Sequence, residues 1–238
     1  METLTKTLVL FLSDIDSYNR VRDQLPLEMT NQVLAAVPEL QKQEFDEIIN
    51  QPGITNVIEN RGRMELLIRD VLESSNSELI LFYDVQKDDP GDIKILFKKI
   101  EDGFDMVIAS RYKKGGGGRE KKKILKINRW KGSSFTQLTN FVWNTNTDIK
   151  DALNSFRVIR KKSLAALNLD EKKNIFLQMT IRAFKLRMTI AEIPTLVKLP
   201  EKDKKRHCNS IFGCGKVLSR ELMNGYSFKT EENKEPEE

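Results

Sequence analysis

The segment Asp84-Val85-Gln86-Lys87-Asp88-Asp89-Pro90-Gly91-Asp92 gathers several carboxylates directly after the apolar run ELILFY at Glu78 to Tyr83. Carboxylate oxygens grouped at the end of a strand can hold a hard divalent cation such as Mg2+ or Mn2+. Acids are also favoured at the start of a helix, and that reading suits Asp92 best. For Asp88 and Asp89 both readings stand. A second set is basic. Arg111 follows Ser110 at the end of the apolar run FDMVIAS, where a guanidinium can grip a diphosphate or another phosphate through paired donors, or form a surface ion pair. The stretch KKGGGGREKKK at 113–123 can close over phosphates or touch acidic lipid head groups, or simply act as a solvated linker.

The totals narrow the class. The chain has 238 residues, a size common for one α/β domain, and 39% hydrophobic content is enough for a packed core. A net charge of +5 favours anionic partners such as nucleotide diphosphates or phospholipid head groups, but is equally compatible with plain solubility. The two cysteines, Cys208 and Cys214, cannot make a disulfide framework, and with His207 as the single histidine they lack a zinc partner set. A cytoplasmic, reduced setting is expected. No leader-like segment or long apolar run is seen, so a lipid acceptor would be met at the membrane surface. A nucleic-acid partner is not expected, because no aromatic-basic motif of known type is present.

The positioning elements follow from periodicity. Strands are expected at Thr7 to Leu12, Gln32 to Val37, Ile54 to Ile58, Glu78 to Tyr83, Phe104 to Ser110, Phe156 to Ile159 and Thr189 to Ile193. Helices are expected between Asp14 and Pro26, and over Glu39 to Asn50, Arg63 to Ser74 and Ile93 to Gly103. Further helices are expected over Asn128 to Trp143, after Ile159 to about Leu167, and over Ile175 to Leu186 and Phe212 to Met223. The alternation over the first 110 residues predicts a mostly parallel, doubly wound sheet flanked by helices. Four consecutive glycines at 115–118 argue against regular structure there. The acidic tail, 229–238, is expected to be disordered.

Three segments in order resemble the family 2 glycosyltransferases, especially their polyprenyl-phosphate mannosyl- and glucosyltransferase branch. They are Asn60-Arg61-Gly62-Arg63, VIASRYKKGGGG at Val107 to Gly118, and DALNSFRVIRKKSLAAL at Asp151 to Leu167. A weaker fourth is IRAFKLRMTIAEIPT, Ile181 to Thr195, whose Glu-Ile-Pro ending is similar to the family's. The resemblance implies a GT-A fold over residues 1–228. It places a nucleotide-sugar donor in the half 1–110 and an acceptor, possibly a polyprenyl phosphate, in the half 111–228.

The resemblance also implies roles. Asp16, Asn60, Gly62, Arg63, Asp84, Gln86 and Arg111 would bind the donor, and Asp84 with Asp88 would hold Mg2+ or Mn2+. Asp151, with Asp148 nearby, is the candidate base for an acceptor proton, unless the acceptor is already a phosphate anion. Arg157 would bind phosphate or fix Asp151, and an internal ion pair that orders the loop is the plainer alternative for both. Several acids of the pattern are missing: Phe82 stands where the family's first metal-site Asp is expected, and Phe176 or Leu177 where it has another acid. Ser155 replaces a Gly, and Pro38-Glu39-Leu40 replaces an Asp-Gly-Ser turn. A catalytically lapsed binding or scaffold protein is therefore the alternative.

Overall fold

The computed structural model describes residues 4–38, 42–118, 149–171, 174–197 and 211–223. A seven-stranded sheet runs through it in the order β3-β2-β1-β4-β7-β5-β8. Its strands are β1 (Lys6–Phe11), β2 (Gln32–Pro38), β3 (Asn56–Asn60), β4 (Leu79–Asp84), β5 (Met106–Ser110), β7 (Arg157–Arg160) and β8 (Ile190–Pro194). Pairings are parallel throughout except where β7 meets β4 and β5. Six strands therefore point one way, and their carboxyl ends form a single edge. Because β7 runs backwards, the loop that precedes it, carrying Asp151, arrives at that same edge.

The strands read as near-continuous apolar runs because both faces of the sheet are covered. Alternate side chains of one strand go to opposite layers. Val9, Leu34, Ile80, Phe82, Ile108 and Ile159 pack on one side against α3 (Met64–Ser74), α5 (Lys161–Ala166), α6 (Ile175–Lys185) and α7 (Ile211–Met223). Leu8, Leu10, Val33, Leu81, Tyr83 and Val107 pack on the other side. There they meet α1 (Ile15–Val21), α2 (Lys42–Ile49) and α4 (Gly91–Ile100). α4 contributes Ile93, Leu96, Phe97 and Ile100, all fully buried on its inner face.

Two expectations change, and the mostly parallel sheet is as expected. Ile54 lies outside the third strand, which extends to Asn60 instead and so delivers that residue to the edge. The glycine run is not wholly irregular: Gly117 and Gly118 form β6, paired in parallel with β9 (Leu196–Val197). Glycine is required just before it, since a Cβ on Gly116 would lie 2.4 Å from the Ser110 carbonyl oxygen, and Gly115 has φ +96°. The mostly parallel sheet also contains one antiparallel member, β7. The helix expected over Asn128 to Trp143, Asp148, the start of the Glu39 to Asn50 helix and the acidic tail lie outside the described residues. Among the described residues, no helix is long and apolar enough to cross a membrane.

Candidate active site

The carboxyl ends of β1, β3 and β4 carry the first group of residues. β1 leads through Ser13 into α1, where Asp14 caps the helix by accepting from the Ser17 N–H at 2.7 Å. The Ser17 hydroxyl, with further hydrogen bonds, holds the Asp14 carboxyl below the usual carboxylate range. Asp14 is therefore committed to the cap, while Asp16 in the first turn lines a shallow cleft of about 550 Å³ with Asn19 and Arg20. At the end of β3, the Asn60 Oδ1 accepts from the Gly62 N–H at 3.2 Å, and Gly62 has φ +70°. Arg63 opens α3 half-exposed, paired with Glu65 at 2.6 Å.

At the end of β4 the chain wraps tightly around Asp84. Its carbonyl accepts from the Lys87 and Asp88 N–H groups at 3.1 and 2.9 Å. Its Oδ1 accepts from the Gln86 N–H at 3.1 Å, and its Oδ2 receives the Lys87 ammonium. The Gln86 amide donates to the Ser13 hydroxyl and ties the ends of β4 and β1 together. Asp88 turns inward: its Oδ2 accepts from the Asp84 N–H at 2.8 Å, and it is only 3% exposed. Burial, followed by the neighbouring Asp84 charge, pushes its carboxyl well above the ordinary range.

Asp84 and Asp88 are thus not a pair of open metal ligands, which corrects the sequence expectation for Asp88. One is capped by a lysine and the other is consumed by a backbone donor. Among the described residues, no group of three or more His, Cys, Asp or Glu side chains is arranged to hold a metal ion. Phe82, on the same face of β4 as Asp84, is fully buried. It stacks on Phe11 at 6.1 Å between ring centroids and meets Phe176 edge-on at 5.7 Å. Phe82, where the resemblance leads one to expect an acid, is therefore in contact with Phe176, one of the two residues at the second such position. The residues present do not fit an Mg2+ or Mn2+ site of the expected kind.

At the end of β5, the Arg111 guanidinium takes both oxygens of Asp151 at 2.8 Å, and the Arg111 backbone N–H adds a third bond at 3.0 Å. Asp151 is 1% exposed, whereas the Arg111 side chain is 21% exposed. The acid anchors the arginine, and as an open base it is poorly placed. The sequence expectation overlooked Glu192. Its Oε1 accepts the N–H groups of Lys150 and Asp151 at 2.8 and 2.7 Å, so it orders the loop that carries Asp151. Burial raises the Glu192 carboxyl to about 7. The one signal for it was its place in the Glu-Ile-Pro match.

Arg157 matches the plainer of its two sequence readings. It is wholly buried, and its guanidinium donates to the carbonyls of Ala152, Asn154 and Phe176 and to the Thr180 hydroxyl. Burial lowers it to about 9, against the pull of Asp151 and Glu192. It cannot meet a phosphate in this position. It braces the loop between Asp151 and β7 against α6, which is the loop-ordering role rather than the binding one.

A parallel sheet with helices on both faces, one reversed strand and polar groups converging on the carboxyl edge define the fold of the GT-A glycosyltransferases. Among solved structures, the chain is similar to glucosyl-3-phosphoglycerate synthase from Mycobacterium tuberculosis. In its complex with Mn2+, uridine diphosphate and phosphoglyceric acid, the TM-score is 0.63 at 12% identity, over 93% of this chain and 78% of that one. In its complex with Mg2+ and uridine diphosphate, the TM-score is 0.64 at 12% identity, over 93% and 79%. A further structure, described as a mycobacterial protein, gives 0.59 at 14% identity, over 92% and 72%. No protein-family model matches the chain, and no curated protein matches it in sequence. At such identities the likeness establishes the fold alone.

Proposed function

We propose that the chain is a single-domain glycosyltransferase that moves a sugar from a nucleotide-diphosphate donor to a phosphate oxygen, with a polyprenyl phosphate at the cytoplasmic face of a membrane as the acceptor class. The observation that carries this reading is the convergence of Asp16, Asn60, Asp84, Gln86 and Arg111 on one carboxyl edge of the sheet. Ligands of open α/β sheets bind at that edge. The solved neighbours lend support, since their complexes contain uridine diphosphate and, in one case, a phosphate-bearing acid.

In this reading the acceptor oxygen bonds to the anomeric carbon while the bond to the diphosphate breaks, and the electron pair leaves with the nucleoside diphosphate. An acceptor that is already a phosphate anion needs no base. That suits an Asp151 whose two oxygens are both held by Arg111. Arg111, steadied in this way, presents a planar cation to phosphate oxygens. Asn60, Gly62 and Arg63 would flank the donor from β3, and Asp16 would reach the base.

A second reading, a catalytically lapsed sugar-nucleotide binder, is favoured by one feature: the Phe11, Phe82 and Phe176 cluster on the floor of the edge. Two assays separate the readings. Thermal stability is followed while common sugar nucleotides are added, because a ligand of the folded state must raise it. Release of nucleoside diphosphate is then measured with polyprenyl phosphate or a hydroxyl acceptor present. Stabilisation with turnover on the phosphate acceptor supports the transferase. Stabilisation without turnover on any acceptor supports the binder, and no stabilisation by any sugar nucleotide contradicts both.

A further inference from the structure

A diphosphate brought to this edge needs positive charge close to Asp84, whose own carboxylate would otherwise repel it. The side chains there do not converge as a metal site, but they do hold a cation. Lys87 reaches back over the turn onto the Asp84 Oδ2, and its side chain remains 24% exposed. The turn itself fixes this geometry. The Lys87 and Asp88 N–H groups both bond the Asp84 carbonyl, and Asp88 is locked beneath by its bond to the Asp84 N–H. The Lys87 stem therefore springs from a closed loop and its head is anchored on the Asp84 carboxylate. An ammonium carries three donors, and pairing with a single carboxylate oxygen leaves geometry for phosphate oxygens on its outer side.

The charge balance points the same way. Asp84 with Lys87 is neutral as a pair, and Arg111 with Asp151 is neutral as a pair. The cluster of Phe11, Phe82 and Phe176 supplies no further acid, and the adjoining Asp88 is buried with its carboxyl pushed well above the ordinary range by that burial. An anion arriving here meets two steadied cations, each braced by a carboxylate, with no demand for an additional metal to cancel surplus acid. Asp84 then serves to aim the lysine.

We infer that Lys87, aimed by Asp84, is the cation that meets the donor's diphosphate, so that nucleotide binding at this edge does not depend on a divalent metal. The inference rests on the glycosyltransferase reading and assigns that site's counter-charge.

The test is calorimetric titration of the full chain with UDP and with GDP, each in EDTA and in Mn2+, alongside Lys87→Met and Lys87→Arg. The expected result is a dissociation constant for the preferred nucleotide that is the same within about threefold in EDTA and Mn2+. Lys87→Met should weaken it by about tenfold or more, as loss of a charged hydrogen bond does, with substantial recovery in Lys87→Arg. Binding that appears only with Mn2+, or binding untouched by Lys87→Met, overturns the assignment while leaving the transferase reading intact. Failure of both nucleotides and of all sugar nucleotides, with or without metal, overturns both. Melting of the ligand-free variants reports whether they fold; should Lys87→Met fail to do so, the wild-type comparison of EDTA with Mn2+ decides alone.

Discussion

The part of the molecule around β1, β3 and β4 and the part around β7, β8 and α6 handle charge in different ways. Around β1, β3 and β4 several ionic groups stand at the surface, with Asp88 and Lys6 buried as exceptions: Arg61, Arg63 and Lys87 keep roughly a quarter to two thirds of their side chains exposed. Around β7, β8 and α6 they are sealed in: Asp151, Arg157, Glu192 and Glu221 are each 5% exposed or less. Buried charges must be paired or hydrogen-bonded to be tolerated, and they leave few groups over for a ligand. Open ones cost little stability and remain available. The comparison teaches that the ends of β1, β3 and β4 keep side chains open to a ligand, whereas the buried network around β7, β8 and α6 braces the loop whose Asp151 holds Arg111.

The strongest way to break that comparison is Arg157→Met. Removing the fork that gathers the carbonyls of Ala152, Asn154 and Phe176 should cost about 3–5 kcal/mol in a denaturant melt, as loss of a partner from a buried ionic network does. Arg157→Lys should not restore it, because one ammonium cannot span those acceptors. A loss below about 1 kcal/mol, within the range of ordinary surface changes, would remove the brace from the account.

Glu192→Gln comes next. Burial lifts the Glu192 carboxyl in the folded chain from 4.5 to about 7. The unfolded chain releases that proton first, so this residue's contribution favours the folded state at low pH and is lost as pH rises from about 4.5 to about 7. Gln keeps the acceptor for the Lys150 and Asp151 N–H groups without the charge. Above pH 7 the variant should be more stable than the wild type by about 3 kcal/mol, and the difference should vanish near pH 4. Melting both proteins across that range checks it, and parallel curves would contradict the assignment.

Gly116→Ala tests the join between the halves. The added methyl would meet the Ser110 carbonyl at 2.4 Å, so the backbone must move, with an expected loss of about 1–3 kcal/mol. Arg63→Ala has the smallest expected effect on folding, about 1 kcal/mol or less, because Arg63 is half-exposed although its partner Glu65 is largely buried. The same change should weaken sugar-nucleotide binding several-fold in a titration. A large stability loss with no change in binding would invert the contrast between open and sealed charge.

Much of the scaffold could be read from residue order. The apolar runs that became β1, β2, β4 and β5 are buried on both faces, and that burial leaves a mark in composition. The direction of β7 left no such mark, since pairing sense is set by contacts between distant segments. The β6–β9 pair was hidden for the same reason: its glycines argue against structure locally and are paired by Leu196 and Val197 from far along the chain. In the site, Asp84, Gln86, Arg111 and Asp151 were visible as residue types at strand ends. Their accessibility was not, so for Arg157 and Asp88 the ligand-binding and the structural readings both stood. Lys87 was passed over inside an acidic run, although its sign is what sets it apart there.

The most direct test of the whole account is a crystal structure of the chain with a nucleoside diphosphate bound. The account predicts the diphosphate at the carboxyl ends of β1 and β4, within hydrogen-bonding reach of the Lys87 ammonium, with the Arg111 to Asp151 pair intact beside it. A nucleotide seated away from that edge, or one held there through a metal on Asp84 with Lys87 turned aside, would contradict it.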